Sequence, residues 1–276
     1  MATIAANLSR RLEGKVAIIT GGASGIGEAA AGLFTKHGAK VIVADITKKA
    51  GLGQSFSPDV TYTHCDVSRE EDVSAVVDLA MEKHGKLDIM FNNAGVADKE
   101  NRKAMEYDME EFQRVVNVNI KGVMHGIKHA ARVMVPRKNG CIISTASMAG
   151  IVGGMGPYAY TASKHAVIGL TKQGAAEMGR YGIRVNCVSP GPLATDIVLR
   201  FFGNSFPMSL SPEELKANWE AFCNKIANLK DHTLRAQDIA EAALYLASEE
   251  SKFVSGHNVV VDGGNTVVNH DLGLYQ

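Results

Sequence analysis

The chain is predicted to fold as a doubly wound α/β domain, a seven-stranded parallel sheet with helices on both faces. Two patterns lead there: runs rich in Val and Ile alternate with helix-length amphipathic segments, and a glycine turn follows the first of those runs directly. The length, 276 residues with no internal break, suits one large domain over 1–276. Within it we distinguish an N-terminal extension (1–13), an insertion (194–232) and a C-terminal tail (265–276).

The strands are read in order at KVAIIT (15–20), KVIVAD (40–45), VTYTHC (60–65), LDIMFN (87–92), GCIISTAS (140–147), IRVNCVS (183–189) and HNVVVD (257–262). Helices fill the intervals. Three helix starts carry capping chemistry: Ser68 with Glu71, Asp108 with Glu111, and Ser211 followed by Pro212 and Glu214. The cluster Gly150, Gly153, Gly154 and Gly156 is too short for a domain linker, and no repeat or charge block interrupts the pattern.

Composition excludes several classes of function. Lys plus Arg and Asp plus Glu both number 29, so zero net charge gives no long-range pull towards nucleic acid or an anionic membrane. A small neutral or apolar partner suits that balance. Cys65, Cys141, Cys187 and Cys223 share no metal spacing and are expected to be free thiols, the first three in strand-like runs. The start MATIAANLSRR lacks an apolar signal region and no later run could span a bilayer, so the expected setting is reducing and cytoplasmic. Asn7-Leu8-Ser9 matches a glycosylation acceptor but has no secretion signal to bring it into use.

After the first strand comes Thr20-Gly21-Gly22-Ala23-Ser24-Gly25-Ile26-Gly27, then a helix-forming run. Without a Cβ at Gly21, Gly25 and Gly27 the backbone can turn tightly, approach a pyrophosphate and pack helix against strand. The phosphates would sit at the helix N-terminus, beside Ser24. A glycine trio is also what any tight turn uses; Asp45 at the end of the second strand adds the discrimination. Its carboxylate can hold both hydroxyls of an adenosine ribose and would repel a 2′-phosphate, while Ala23, Ser24 and Ile46 supply no cation to welcome one. NAD is the expected cofactor. Asp66 and Val67 close the third strand, where a carboxylate and an N–H could read an adenine edge. Asn92-Asn93-Ala94-Gly95 ends the fourth, with Asn93, Ala94 and Gly95 at the carboxyl edge where such folds bind ligands.

The chemistry is read at Tyr158-Ala159-Tyr160-Thr161-Ala162-Ser163-Lys164. Residues four apart on a helix share a face, so Tyr160 neighbours Lys164 and Tyr158 does not. A nearby ammonium and a positively charged nicotinamide would both favour phenolate, making Tyr160 an acid/base near neutral pH. Ser147, at the end of the fifth strand, could hydrogen-bond the same substrate oxygen. Each feature alone is commonplace; their company is not.

Together these residues resemble the short-chain dehydrogenase/reductase family over nearly the whole chain. The matching segments are TGGASGIG at 20–27, NNAG at 92–95, Asn119 in NVNIKG, Ser147 in STASMAG, Tyr160-x-x-x-Lys164, and Pro190-Gly191 after the sixth strand. The resemblance implies a Rossmann-type fold and a tetrad of Asn119, Ser147, Tyr160 and Lys164: Tyr exchanges the substrate proton, Lys binds the nicotinamide ribose and tunes Tyr, Ser orients the reacting oxygen, and Asn holds a water. It also implies cofactor contacts at Pro190, Gly191 and Thr195, with Ile26 and Val188 nearby, and a homodimer or homotetramer formed through helices around 109–135 and 158–181. Segments such as GKLDIMFNNAG, YTASKHAV and VSGHNVVVDGG resemble a plant NAD-dependent branch whose members oxidise secondary alcohols on terpenoid, lignan and steroid rings.

The insertion is dense in aromatics, with Phe201, Phe202, Phe206, Trp219 and Phe222, which points to an apolar substrate. Leu215, Trp219 and Phe222 share a helical face that could cover the cleft or pack on the body. Met148 and Met155 flank the glycine cluster and, with Phe201 and Phe202, are candidate substrate-lining residues. His125 and His129 lie four apart without a third ligand, so no metal is expected. Two other readings stay open: an NADPH-dependent carbonyl reductase, which Asp45 argues against, and an NAD-binding homologue with a non-redox role, for which a full tetrad has no use.

Overall fold

The computed structural model describes residues 10–47, 58–99, 103–195, 197–199 and 210–268. Seven parallel strands form one sheet in the order β3-β2-β1-β4-β5-β6-β7. They are β1 (Val16–Thr20), β2 (Lys40–Asp45), β3 (Val60–His64), β4 (Ile89–Asn92), β5 (Gly140–Thr145), β6 (Ile183–Pro190) and β7 (Asn258–Val261). The main helices are α1 (Gly25–Lys36), α2 (Glu70–His84), α3 (Met109–Val116), α4 (Gly122–Met134), α5 (Tyr158–Met178), α6 (Pro212–Ile226) and α7 (Ala236–Ala247).

Successive strand side chains point to opposite faces of a sheet, and here both faces are buried. Ile18, Ile42, Met90, Ile142 and Val185 pack under α2, α4 and α5 with Val77, Ile127 and Val167. Ala17, Ile19, Val43, Phe91 and Ile143 pack under α1 and α7 with Phe34, Ile239 and Leu244. Chain direction across the sheet reverses between β1 and β4, which pair in parallel. At such a switch point the loops leaving the two strands part, and a crevice opens at their carboxyl ends.

Several local expectations are corrected. The fifth strand stops at Thr145, and Ser147 instead caps a short 3₁₀ turn over Met148–Gly150 by accepting the Ala149 N–H at 3.2 Å. Ser68 does not cap α2, because Asp66 Oδ1 takes both its N–H (2.9 Å) and its hydroxyl (2.7 Å), and the helix starts after Arg69. Asp66, expected to offer its carboxylate to an adenine edge, thus spends one of its oxygens locally. Asp108 caps α3 through the Glu110 N–H, but Glu111 completes no box: its carboxylate accepts from Lys99 N–H and from Arg114. Only the Ser211–Glu214 box forms as expected. Between α3 and α4 the helix widens into a single π turn, Asn117–Lys121.

Candidate active site

The crevice is a cleft of about 1970 Å³ bordered by Gly21, Ser24, Gly25, Ile26, Asp45, Asp66, Val67 and Asn93–Gly95 at one end. Its other end is bordered by Ser147, Tyr160, Lys164, Pro190, Gly191 and Thr195. The glycine turn fits a closely approaching ligand. A Cβ on Gly21, whose φ is +63°, would lie 2.8 Å from Ala94 Cα, and one on Gly27 would lie 2.1 Å from the Gly21 carbonyl oxygen. Gly27 does not border the cleft; its part is to let α1 press against the turn. Ser24 leads into α1 without a side-chain cap, which leaves the first N–H groups of that helix for an anion.

Thr20 pins the turn to the neighbouring strand end: its hydroxyl accepts the N–H groups of Asn93 (3.0 Å) and Ala94 (3.1 Å). The Asn93 amide donates to the carbonyls of Thr20 and Gly21 and accepts from the Thr145 hydroxyl. Asn93 is thus a staple between β1, β4 and β5 whose own side chain is spent on protein. Asp45 is nearly buried. Its Oδ2 accepts the Ala23 N–H at 3.0 Å and its Oδ1 the Thr47 N–H at 2.8 Å, so the carboxylate is fixed beside the glycine turn. Asp66 and Val67 border the same end, where the Val67 carbonyl also meets His125 Nδ1 at 2.9 Å.

At the chemical end, Lys164 is buried in α5 and donates to the Thr145 carbonyl at 2.7 Å, with its Nζ 5.4 Å from the centre of the Tyr160 ring. Burial depresses Lys164 to about 8. Burial also pushes the Tyr160 phenol up, while a hydrogen bond with Ser147 pulls it down. The spacing argument put the two side chains together, and burial is the largest influence on the phenol. Asn119 lies behind the cleft rather than on it, 1% exposed in the π turn. Its Oδ1 accepts the Val96 N–H (2.8 Å), and its Nδ2 donates to the Val96 carbonyl (2.8 Å) and to Ser163 Oγ (2.9 Å). The cleft edge at Gly95 is held close between Asn119 and Lys164.

The far wall is apolar. Met148, Met155, Leu193, Ile197, Trp219 and Phe222 border it. Trp219 is buried and Phe222, whose ring lies 5.5 Å from it on the same helix, is half open; both border the cleft, so α6 covers it. Leu215 and Val188 do not border the cleft, and Phe201, Phe202 and Phe206 lie outside the described residues. His129 Nε2 lies 3.1 Å from Glu70, and no group of three metal-ligating side chains occurs among the described residues. Neither do these hold a helix long and apolar enough to cross a membrane.

Sequence reasoning missed Thr20 as a bonding group, Thr145, Ser163, and the pair Asp98 and Tyr107. Thr20, Thr145 and Ser163 stood inside quoted motifs, and their hydroxyls could have been flagged there. The others have no local pattern.

Comparison with known proteins agrees with this geometry. The family described as Enoyl-(Acyl carrier protein) reductase, a short-chain dehydrogenase group, matches residues 21–266. The chain is similar to "Borneol dehydrogenase, mitochondrial" of Lavandula x intermedia, with 49% identity covering 99% of this chain and 98% of that one. It is similar to "Momilactone A synthase" of Oryza sativa subsp. japonica, with 50% identity covering 97% and 96%. Among solved structures it is similar to levodione reductase, with a TM-score of 0.82 and 34% identity over 94% of this chain and 100% of that one.

Proposed function

This chain belongs to the short-chain dehydrogenase/reductase family, and on that premise we propose that it oxidises an apolar, cyclic secondary alcohol of terpenoid, lignan or steroid type to the ketone, reversibly, with NAD. The observation that carries this reading is the meeting of Ser147, Tyr160 and Lys164 where the glycine-turn end of the cleft joins its apolar wall. Members of the family use a nicotinamide cofactor, and the Cβ-free turn, the uncapped start of α1 and the fixed Asp45 carboxylate suit a dinucleotide. NAD, when bound, supplies the acceptor for a hydride from the carbinol carbon.

The chain's own groups would do the rest. Ser147 Oγ orients the substrate hydroxyl, and Tyr160 takes its proton as general base. Lys164, anchored on the Thr145 carbonyl, supports the negative phenolate through its ammonium and reaches towards the nicotinamide ribose. Asn119 fixes Val96, and with it the loop bordering the nicotinamide end. The carboxylate of Asp45 would face the adenosine ribose and reject a 2′-phosphate, which favours NAD over NADP. Met148, Met155, Trp219 and Phe222 would line the substrate, joined by Phe201 and Phe202 from the same insertion.

The deciding experiment offers borneol and a panel of terpenoid, lignan and steroid alcohols with NAD or NADP and follows NADH or NADPH absorbance. Turnover with NAD that is lost in Tyr160→Phe is expected. Near-normal oxidation by that variant would overturn the catalytic assignment, and tighter binding of NADP would overturn the cofactor assignment.

We read the chain as one catalytic domain that assembles with copies of itself. In support, Met109, Met124 and Tyr158 on the helices assigned to subunit contact are exposed, and light scattering of the purified protein tests it. The four buried free cysteines suit a reducing compartment, for which we propose the cytosol, although one relative is named as mitochondrial. Cell fractionation decides between them.

A further inference from the structure

Tyr160 is gripped by its backbone as well as by the neighbours of its phenol. A helix begins with N–H groups that have no partner inside it, and Pro157, the residue leading into α5, gives no side-chain cap. Two groups from elsewhere take that place. Asp98 Oδ2 accepts the Tyr160 N–H at 3.0 Å, and the Tyr107 hydroxyl accepts the Ala159 N–H at 3.3 Å. The Tyr107 hydroxyl donates in turn to Asp98 Oδ1. On the other side of the same residue, the Tyr160 carbonyl accepts from Ser163 Oγ at 2.7 Å, and Ser163 is held by Asn119.

Asp98 is 2% exposed and borders the cleft. Burying a carboxylate is costly, and these bonds offset part of that cost, burial still holding the Asp98 carboxyl above its usual range. The segment that carries Asp98 continues the strand-end loop Asn93–Val96, which borders the nicotinamide end. It is braced further by Arg114, which donates to the Ala97 carbonyl at 2.6 Å. The loop and the first turn of α5 are therefore tied to one another through Asp98 and Tyr107.

We propose that Asp98, with Tyr107, is a positioning residue for Tyr160: a cap delivered from the β4 loop that sets the height and tilt of the first turn of α5, and so the distance from phenol to cofactor. This rests on the reading of Tyr160 as the proton-exchanging group. A misplacement of about 1 Å at a reacting group costs on the order of a hundredfold in rate, so a lost cap is felt in kcat.

The test compares Asp98→Ala, Asp98→Asn, Tyr107→Phe and the double variant Asp98→Ala/Tyr107→Phe by steady-state oxidation of borneol, NAD binding, thermal melting, and amide exchange of a peptide spanning 158–162. Asp98→Ala is expected to lower kcat by about tenfold or more, with NAD affinity and melting little changed and exchange of that peptide accelerated. Asn keeps an acceptor for the Tyr160 N–H, and Asp98→Asn should stay within about threefold of the parent. Tyr107→Phe should lose a few-fold, and the double variant should be no slower than Asp98→Ala, because the two act as a unit.

Wild-type kcat and exchange in Asp98→Ala would overturn the proposal, as would losses of kcat, NAD affinity and melting temperature in proportion. If the parent protein oxidises no alcohol, the functional reading fails on that result alone. The exchange of 158–162 then still decides whether the cap exists.

Discussion

The two ends of the cleft are built on different principles. At the glycine-turn end, backbone meets backbone at distances that admit no Cβ, and Thr20, Asn93 and Asp45 use their polar atoms to fix those approaches. At the apolar end, Met148, Met155, Trp219 and Phe222 fill space with apolar surface, and Phe222 and Met155 stand half open. Directional bonds require particular residues at particular positions. Apolar contact requires only volume, so many sequences serve and many substrates fit. The first end should therefore respond to substitution sharply and the second gradually.

The largest break in that contrast is expected where the two ends meet. Tyr160→Phe should cut kcat for alcohol oxidation by about a thousandfold while leaving NAD affinity intact, as read by steady-state kinetics and fluorescence titration. At the glycine-turn end, Asp45→Ser should shift the NAD-to-NADP preference by at least about tenfold towards NADP, which amounts to about 1.4 kcal/mol of removed repulsion. Unchanged preference would mean that something other than Asp45 excludes the 2′-phosphate.

A pH series sharpens the junction itself. Burial holds the Tyr160 phenol above its usual range, so the base form that oxidation needs grows as pH rises. Oxidation kcat/KM should keep climbing into strongly alkaline pH, and the reverse reduction, which needs the phenol, should fall there. Lys164, depressed to about 8, supports the phenolate only while it keeps its proton. Lys164→Met should therefore lower oxidation most below about pH 8, where the ammonium keeps its charge, and least above it. The smallest effect is expected at the apolar end, where Trp219→Ala should raise KM for an apolar alcohol several-fold with kcat and NAD affinity nearly unchanged. A large fall in kcat instead would show that the apolar wall sets geometry as well as affinity.

The same contrast explains what could be read from the chain. The sheet was legible because its strands are compact apolar runs, most of them rich in β-branched residues, and its observed ends differ from expectation by at most two residues. The glycine turn and the Tyr160–Lys164 pair were legible because local spacing encodes them. Asn119 was found through family resemblance alone; nothing around it in sequence announces a π turn. Asp98 and Tyr107 went unread because their task exists only after β4, α3 and α5 have come together. Ser68 was misread because Asp66, two residues before it, competes for its hydroxyl, and sequence gives no way to rank the two bonds.

The π turn at Asn117–Lys121 has a consequence for how this chain can vary in length. One extra residue is accommodated there, so the helical faces before and after it are out of phase by about a hundred degrees. Behind the turn, Gly122 and Gly126 still face Val67 and Asn92, at separations too close for any side chain. Deleting one residue from 117–121 would restore an even helix and keep the count of hydrogen bonds, yet it would swing either Asn119 or those glycines out of place. Insertions and deletions should therefore be tolerated in the 194–232 insertion and rejected in this helix, even though Val118 alone of the turn's residues borders the cleft.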